Sequence, residues 1–445
     1  MFQAERGSFL KASFYTLGCK VNQNETGALQ QLFFENGFEI VGPCDAADVY
    51  VVNSCTVTAG GDKKSRQWLR RCKRENPGAV TVLTGCYPQA FPQEAQAAAE
   101  ADVVTGTNAR GSIVADVQRF LATGERVVDI RPHAAGAAFE ELPAEQPLGH
   151  TRAFLKIEDG CNRFCAYCII PYARGRVRSR PLDSVLAELR SLAAQGYREV
   201  VLSGINLCCY GQDTGSSLAE AVERAAEIDG IDRIRLGSVE PDLLPEETLL
   251  RLSRVKKLCC QFHLSLQSGC AKTLAAMNRH YTPQDYRAVV ERMRALFDRP
   301  LFTTDVIVGF PGESEEDFCE SLRFVESLGF LKVHVFSYSR RAGTAAAKME
   351  GQVPEAVKAE RSRRMIGAAD AVRAQVIAGW AGRQETVLLE QPVSKNLYTG
   401  YTSRYIPVAV AAPGAVQGEI VEVQVGAFDG SRCCCEAAAP TAPRP

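Results

Sequence analysis

Cys161-x-x-x-Cys165-x-x-Cys168 gathers three thiols on one short stretch, directly after the apolar run Ala153–Ile157. Three thiolates on a tight loop suit three corners of a 4Fe–4S cube, whose full ligation takes a fourth cysteine. A three-cysteine loop leaves one iron open, and an open metal position is where a cofactor or substrate binds. The alternative is a zinc knuckle or a set of reduced core thiols. A knuckle pairs its C-x-x-C with a second pair of ligands, and none is adjacent here.

A second constellation is spread out: Cys19, Cys55 and Cys86 lie 36 and 31 residues apart. Each follows an apolar run, in the contexts LGC, NSC and TGC, where small residues let backbones approach closely. In an open parallel sheet the C-terminal strand ends converge on one crevice. Three cysteines there could hold a second three-ligand cluster; buried cysteines at strand ends are the alternative. The other eleven (Cys44, Cys72, Cys208, Cys209, Cys259, Cys260, Cys270, Cys319, Cys433, Cys434, Cys435) read as small buried hydrophobes.

The elements that must position these thiols fall into three regions. Up to residue 123, strands are expected at Ser13–Leu17, Asp48–Asn53, Ala79–Thr84 and Asp102–Thr105. Helical patterns at Glu25–Asn36 and Asp62–Glu75 sit between them. That rhythm predicts an α/β fold with an open, mostly parallel sheet. Residues 124–150 lose periodicity and read as a linker. From 151 to 378 six strand–helix pairs follow, with strands at Ala153–Ile157, Glu199–Ser203, Arg233–Gly237, Phe262–Leu266, Phe302–Val308 and Lys332–Tyr338. A partial (βα)6 TIM-like barrel is the expected form, with ligand sites at the strands' C-terminal ends. Residues 379–442 carry β-branched runs broken by glycine and proline, as in a small β-barrel.

Composition narrows the setting. The chain has 445 residues, too many for one compact domain, and a formal net charge of −1. No global basic field draws in nucleic acid, so any RNA contact must come from local patches. No apolar run could cross a bilayer, and MFQAERGSFLKASF lacks a signal peptide's layout. A cytoplasmic location without membrane contact is expected. Seventeen cysteines in a reducing compartment point to ligation rather than disulfides.

Three patches could meet RNA. Arg174, Arg176, Arg178 and Arg180 alternate with Gly175, Val177 and Ser179, which would set four guanidiniums on one side of an extended segment. Arginines without intervening carboxylates suit phosphates; a solvated basic edge is the alternative. Lys63, Lys64, Arg66, Arg70, Arg71, Lys73 and Arg74 form a basic cluster on the second helical pattern, with a solvated helix face as the equal alternative. Tyr398, Tyr401, Arg404 and Tyr405 mix ring faces with a cation, as bases stack on.

Around Cys161–Cys168, with Tyr167 before the last cysteine, the chain resembles the radical S-adenosylmethionine superfamily. TLGCKVNQNET at Thr16–Thr26, CNRFCAYCIIPYARGRVRSR at Cys161–Arg180 and GYTSRYIPV at Gly400–Val408 narrow the likeness to the methylthiotransferases over nearly the whole chain. Within them it is most similar to the group acting on threonylcarbamoyladenosine in tRNA. Arg404 and Asn24 depart from that group's usual asparagine and aromatic.

The resemblance implies two 4Fe–4S clusters. Cys161, Cys165 and Cys168 would hold the one that cleaves S-adenosylmethionine, and Cys19, Cys55 and Cys86 an auxiliary one carrying the sulfur to be inserted. Two S-adenosylmethionine molecules would be used per turnover. Ser203, Gly204, Asn206, Ser238, Glu240, Ser265, Gln267 and Gly309, all at strand ends, would cradle that cofactor. The C-terminal barrel would be a TRAM domain binding the tRNA anticodon stem-loop. The resemblance also implies a reductant protein such as flavodoxin or ferredoxin, and a monomer. Rival readings are the same chemistry on isopentenyladenosine of tRNA or on a ribosomal-protein aspartate. A rival from another class is a non-catalytic RNA-binding iron or zinc protein.

Overall fold

The computed structural model describes residues 9–134, 136–142 and 151–437. The chain forms two compact units, the first comprising Met1–Leu148, Glu158–Arg180 and Ser339–Ala347, the second the remainder.

The first unit is built on six parallel strands: β1 (Leu10–Thr16), β2 (Phe38–Val41), β3 (Val49–Ser54), β4 (Val80–Gly85), β5 (Val103–Thr105) and β6 (Val127–Asp129). Their order is β2-β1-β3-β4-β5-β6. β3 (VYVVNS) and β4 (VTVLTG) are buried at every residue, as strands covered on both faces must be. Phe14, Leu29, Phe33, Val51 and Val82 pack on one face; Val52, Leu69, Leu83, Tyr87 and Val104 pack on the other. The covering helices include α1 (Lys20–Glu35), α2 (Ala59–Glu75), α3 (Cys86–Ala90), α4 (Pro92–Gln96) and α5 (Ile113–Thr123).

Two strands go beyond the sequence reading. β2 and β6 are the sheet's edges, and β6 lies past residue 123, where the linker was expected to begin. A three-residue strand is too short to show alternation. The helix expected from Glu25 also starts earlier, at Lys20, with Cys19 at the N-cap and no side-chain capping bond. No Ser, Thr, Asp or Asn marks that start.

The first unit also contains the Glu158–Arg180 segment. β8 (Glu158–Asp159) pairs antiparallel with β9 (Arg178–Ser179), closing the base of a loop that carries Cys161, Cys165, Cys168 and helix α6 (Ile170–Arg174).

The second unit holds β7 (Ala153–Lys156), β10 (Glu199–Ser203), β11 (Arg233–Leu236), β12 (Ser238–Val239), β13 (Gln261–Leu264), β14 (Leu301–Val308) and β15 (Lys332–Ser337). They form parallel sheets β11-β10-β7 and β12-β13-β14-β15. β11 and β12 are one strand interrupted at Gly237, whose N–H turns to Leu202 O at 2.8 Å. The six expected strands are therefore all present as a partial barrel, with one apolar core between them and their helices. Capping boxes at Thr282 and Ser314 start two of those helices.

The same unit ends in a closed five-stranded barrel of β16 (Gln384–Ser394), β17 (Leu397–Thr402), β18 (Pro407–Ala411), β19 (Ile420–Gln424) and β20 (Cys433–Ala437). Cys433 and Cys435 are buried in it, as small hydrophobes are. The closed barrel docks on buried charge at the N-terminal strand ends. Glu199 meets Arg235 at 2.7 Å, Arg233 at 3.1 Å and Arg152 at 3.6 Å. Arg235 then donates to Thr402 O at 2.8 Å and Ser403 O at 2.9 Å. No helix among the described residues is long and apolar enough to cross a membrane.

Candidate metal and cofactor sites

Cys55 and Cys86 follow β3 and β4 directly and Cys19 stands three residues past the end of β1, and these strands are neighbours in the sheet. A Cβ on Gly18 would lie 2.8 Å from Cys55 Cβ, so the first two thiols share a corner of closely approaching backbone. Asn22 links the first and third: its Oδ1 lies 3.7 Å from the Cys19 sulfur and 4.0 Å from the Cys86 sulfur. Its amide donates to Leu17 O at 2.9 Å and Ser54 O at 3.0 Å, which fixes the side chain.

Burial pushes the Cys86 thiol up to about 12 and also raises Cys55, while Arg174 pulls both the other way. A bare thiolate is costly there, so a metal that replaces the proton is what would bring these sulfurs into the charged form. Cys86 is the first residue of α3, where backbone N–H groups favour a thiolate. The donor set fits a cluster with three protein ligands.

The second trio sits on a loop shaped by its own backbone. Cys161 N–H donates to Gly175 O at 3.0 Å and Cys168 N–H to Cys165 O at 2.9 Å. Ala346 N–H donates to Ala166 O at 2.8 Å, which ties the 339–347 segment to the loop. Gly160 has φ +86°, and a Cβ there would meet Arg176 O at 1.9 Å. Only glycine fits before Cys161. Cys165 is buried, while Cys161 and Cys168 are half-buried. Three thiols on one such loop suit the open-iron cluster expected of them.

Arg174 reaches from the second trio's loop to the first. It is fully buried, donates through Nε to the Cys86 sulfur at 3.2 Å and through Nη2 to Asn22 Oδ1 at 2.7 Å. It also forms a two-pronged pair with Glu25, which takes Arg110 at 3.0 Å as well. Burial works against its charge, but Cys86, Glu25 and Asp159 outweigh that and hold it firmly protonated. Sequence reasoning did not single out Asn22, Glu25 or Arg110. Cys19, Asn22 and Glu25, spaced by three on α1, carry the signal that could have found two of them.

This corrects the expected arginine row. Arg174 is consumed by Glu25, Asn22 and Cys86, and Arg178 and Arg180 are buried, Arg178 donating to Arg174 O at 2.9 Å. A helix followed by a glycine turn breaks the period-two geometry. Arg176 is exposed and lies 4.6 Å over the Phe164 ring, which meets Tyr172 edge-on at 5.8 Å.

The small barrel holds a second correction. Tyr401 and Tyr405 stack on each other at 4.4 Å, with Arg152 and Arg235 over the Tyr405 ring at 5.2 and 5.0 Å. Arg404 pairs with Asp298 at 2.6 Å and with Glu385, and covers the Trp380 ring. These side chains fasten the barrel to the strands instead of offering faces to bases. On α2, Arg66 and Arg70 meet Glu100, and Lys73 meets Asp102.

The residues expected to cradle S-adenosylmethionine lie at or just past the ends of β10, β13 and β14 and around β12. Ser203 donates to Leu155 O at 3.2 Å, and Glu240 pairs with Arg279. Ser265 and Asn206 are buried, Gly204 and Gln267 half-buried, and Ser238 exposed. Gln267 has φ +68°, and Gly309 donates its N–H to Glu313 at 2.7 Å. Gly204, Ser238 and Gln267 are the members of this set that are neither buried nor held in an ion pair.

Comparison with known proteins follows the same division. The radical SAM superfamily model matches residues 155–325, and the model described as uncharacterized protein family UPF0004 matches residues 11–106. The chain is 38% identical to a threonylcarbamoyladenosine tRNA methylthiotransferase MtaB of Bacillus subtilis, covering 93% of each chain. It is 33% identical to a tRNA-2-methylthio-N(6)-dimethylallyladenosine synthase of Acetivibrio thermocellus, covering 92% of this chain and 87% of that one. Among solved structures it resembles the radical S-adenosylmethionine methyltransferase TsrM of Kitasatospora setae, with TM-score 0.54, 17% identity and coverage of 76% and 77%. That likeness concerns the fold.

Proposed function

The chain belongs to the radical S-adenosylmethionine tRNA methylthiotransferases, and from that premise we propose that it converts N6-threonylcarbamoyladenosine beside the tRNA anticodon into its 2-methylthio derivative. The observation that carries this reading is the grouping of all six candidate ligand cysteines in one compact unit, joined by Arg174.

When bound, the clusters and two S-adenosylmethionine molecules supply the one-electron chemistry that opens an unreactive C2–H bond, and the sulfur and methyl group that replace the hydrogen. The chain's own residues do the rest. Cys161, Cys165 and Cys168 would hold the cluster that acts on S-adenosylmethionine, leaving one iron for it. Cys19, Cys55 and Cys86 would hold the auxiliary cluster. Arg174 neutralises charge at Cys86 and fixes that sulfur relative to Glu25. Gly204, Ser238 and Gln267 are the strand-end groups we assign to S-adenosylmethionine. For RNA, exposed Arg176 and Tyr172 with half-buried Phe164 between them combine a cation with ring faces, the mixture that unstacked bases accept. A flavodoxin- or ferredoxin-like reductant is the partner such chemistry needs.

Similarity to dimethylallyladenosine-modifying relatives over the same span supports a second reading, in which isopentenyladenosine is the target. Mass spectrometry of nucleosides from a deletion strain separates the two. Loss of the methylthio group from threonylcarbamoyladenosine alone is expected. Loss from isopentenyladenosine alone would transfer the assignment, and no change in either nucleoside would remove it.

A further inference from the structure

His263, Asp305 and His334 stand on three neighbouring strands of the second unit, β13, β14 and β15, away from every cysteine trio in sequence. One donor atom from each lies within 4.8 Å of the other two. The strand register makes this arrangement. His263 is opposite Thr303, two residues before Asp305, and Asp305 is opposite His334. Their chain neighbours Phe262, Leu264 and Val306 are buried in the helix-side core, with Val333 and Val335 packed against it. Side chains alternate along a strand, so the three polar groups share the opposite, inward face of the sheet.

Two details set this trio apart from an ordinary polar wall. The Thr303 hydroxyl oxygen lies 3.1 Å from His263 Nδ1 and accepts from the Gln261 amide, also at 3.1 Å. The hydroxyl can accept from both, which allows the tautomer with the ring proton on Nδ1 and the Nε2 lone pair directed at the trio. Nε2 stands 3.3 Å from Asp305 Oδ2, yet it is buried and makes no hydrogen bond. In a hydrogen bond the acceptor lies along the N–H direction. Two ligands of one ion do otherwise: each aims at the ion and lies off the other's axis. A tetrahedral ion about 2.0 Å from its donors holds neighbouring donors about 3.3 Å apart.

We propose that His263, Asp305 and His334 bind a single divalent transition-metal ion of the zinc class. Thr303 orients His263 as an outer-shell partner. Three protein ligands leave a fourth position for water or another oxygen donor, and the His263 and Asp305 side chains, 17% and 31% exposed, leave the ion reachable.

The test uses the full chain with its clusters assembled anaerobically, so that the cysteine trios are occupied. It is loaded with zinc chloride, dialysed and examined by metal analysis and zinc-edge X-ray absorption. One retained zinc with a nitrogen and oxygen shell and imidazole scattering is expected. His263→Ala and His334→Ala should each weaken zinc retention at least tenfold in chelator competition, with iron content and circular dichroism unchanged. Thr303→Val, which keeps all three ligands, should weaken it about 10–100-fold. Zinc with a sulfur shell, zinc retained equally by the His263→Ala/His334→Ala double variant, or no retained zinc in the wild-type chain would each overturn the site. None of these readouts depends on which nucleoside is modified.

Discussion

The two cysteine trios bring three thiols together by opposite means. Cys161, Cys165 and Cys168 share eight consecutive residues, and a two-residue strand pair closes their loop. Cys19, Cys55 and Cys86 come from three strand ends, and the sheet order brings them together. The first trio is a local object whose geometry follows from its spacing. The second exists only once β1, β3 and β4 have paired. Its polar support is correspondingly larger: Asn22, Glu25, Arg110 and Arg174 are all buried around it.

Cysteine removal gives the largest expected effect and the cleanest contrast. Cys19→Ala and Cys165→Ala should each abolish methylthiolation and lose about half of the assembled iron. They should differ in one respect: the Cys19 variant still cleaves S-adenosylmethionine, and the Cys165 variant does not. Product analysis by liquid chromatography checks this, and full iron content in the Cys19 variant would reduce the strand-end corner to a group of buried thiols.

Arg174→Ala comes next. It leaves Glu25 partly unpaired in the interior, a loss worth about 3–5 kcal/mol when a buried pair is broken. Denaturant unfolding should show it, and iron should be lost from the corner more readily than from the loop. Arg174→Lys keeps the charge without the fork and should recover only part of the stability. If neither variant changes stability or iron content, the link between the trios carries no energy.

Glycine substitutions compare the two backbones more gently. Gly160→Ala must displace the Arg176 carbonyl and adopt a positive φ. Gly85→Ala, with φ +98°, would meet Asn53 Oδ1 at 2.5 Å and Ser54 O at 2.6 Å. Each is expected to cost about 1–3 kcal/mol from strain. The Gly160 variant should damage the loop cluster selectively, and the Gly85 variant the corner. Separate electron paramagnetic resonance signals would distinguish them.

The smallest effect concerns the buried charges of the second unit. Burial raises Glu199, but Arg235, Arg152 and Arg233 outweigh it and bring the carboxyl down from 4.5 to about 2. A depressed carboxyl contributes stability that is present above its unfolded value and lost as pH falls through the folded one. Docking of the small barrel should therefore weaken between about pH 4.5 and pH 2. Trp380, half of the chain's tryptophan complement, packs at that contact and can report it by fluorescence in a Trp68→Phe background. An unchanged signal across that window would separate the docking from Glu199.

Much of this organisation was legible beforehand, and the reasons are specific. β3 and β4 are valine-rich runs buried at every residue, and the strands of the partial barrel lie between helices with clear start signals. β2 and β6 were not legible, because at the sheet edges they are short and only partly buried, whereas equally short β5 is buried at every residue. The arginines misled for a related reason. Alternation from Arg174 to Arg180 looks identical whether a guanidinium meets solvent or Glu25, which lies 149 residues away in sequence. Tyr401, Arg404 and Tyr405 likewise read as a stacking surface, but Arg152 and Arg235 lie over the two rings and Arg404 pairs with Asp298.

The amino-acid order by itself determined the local facts: which segments become strands and helices, where three thiols fall on one loop, and which family the motifs resemble. Those depend on interactions within a few residues, which spacing encodes directly. Tertiary structure alone decided which distant groups meet: Asn22 with Cys86, Arg174 with Glu25, His263 with Asp305 and His334. Such meetings depend on strand order and register, and a residue's fate as ligand, ion-pair partner or solvated surface follows from the neighbours that folding supplies.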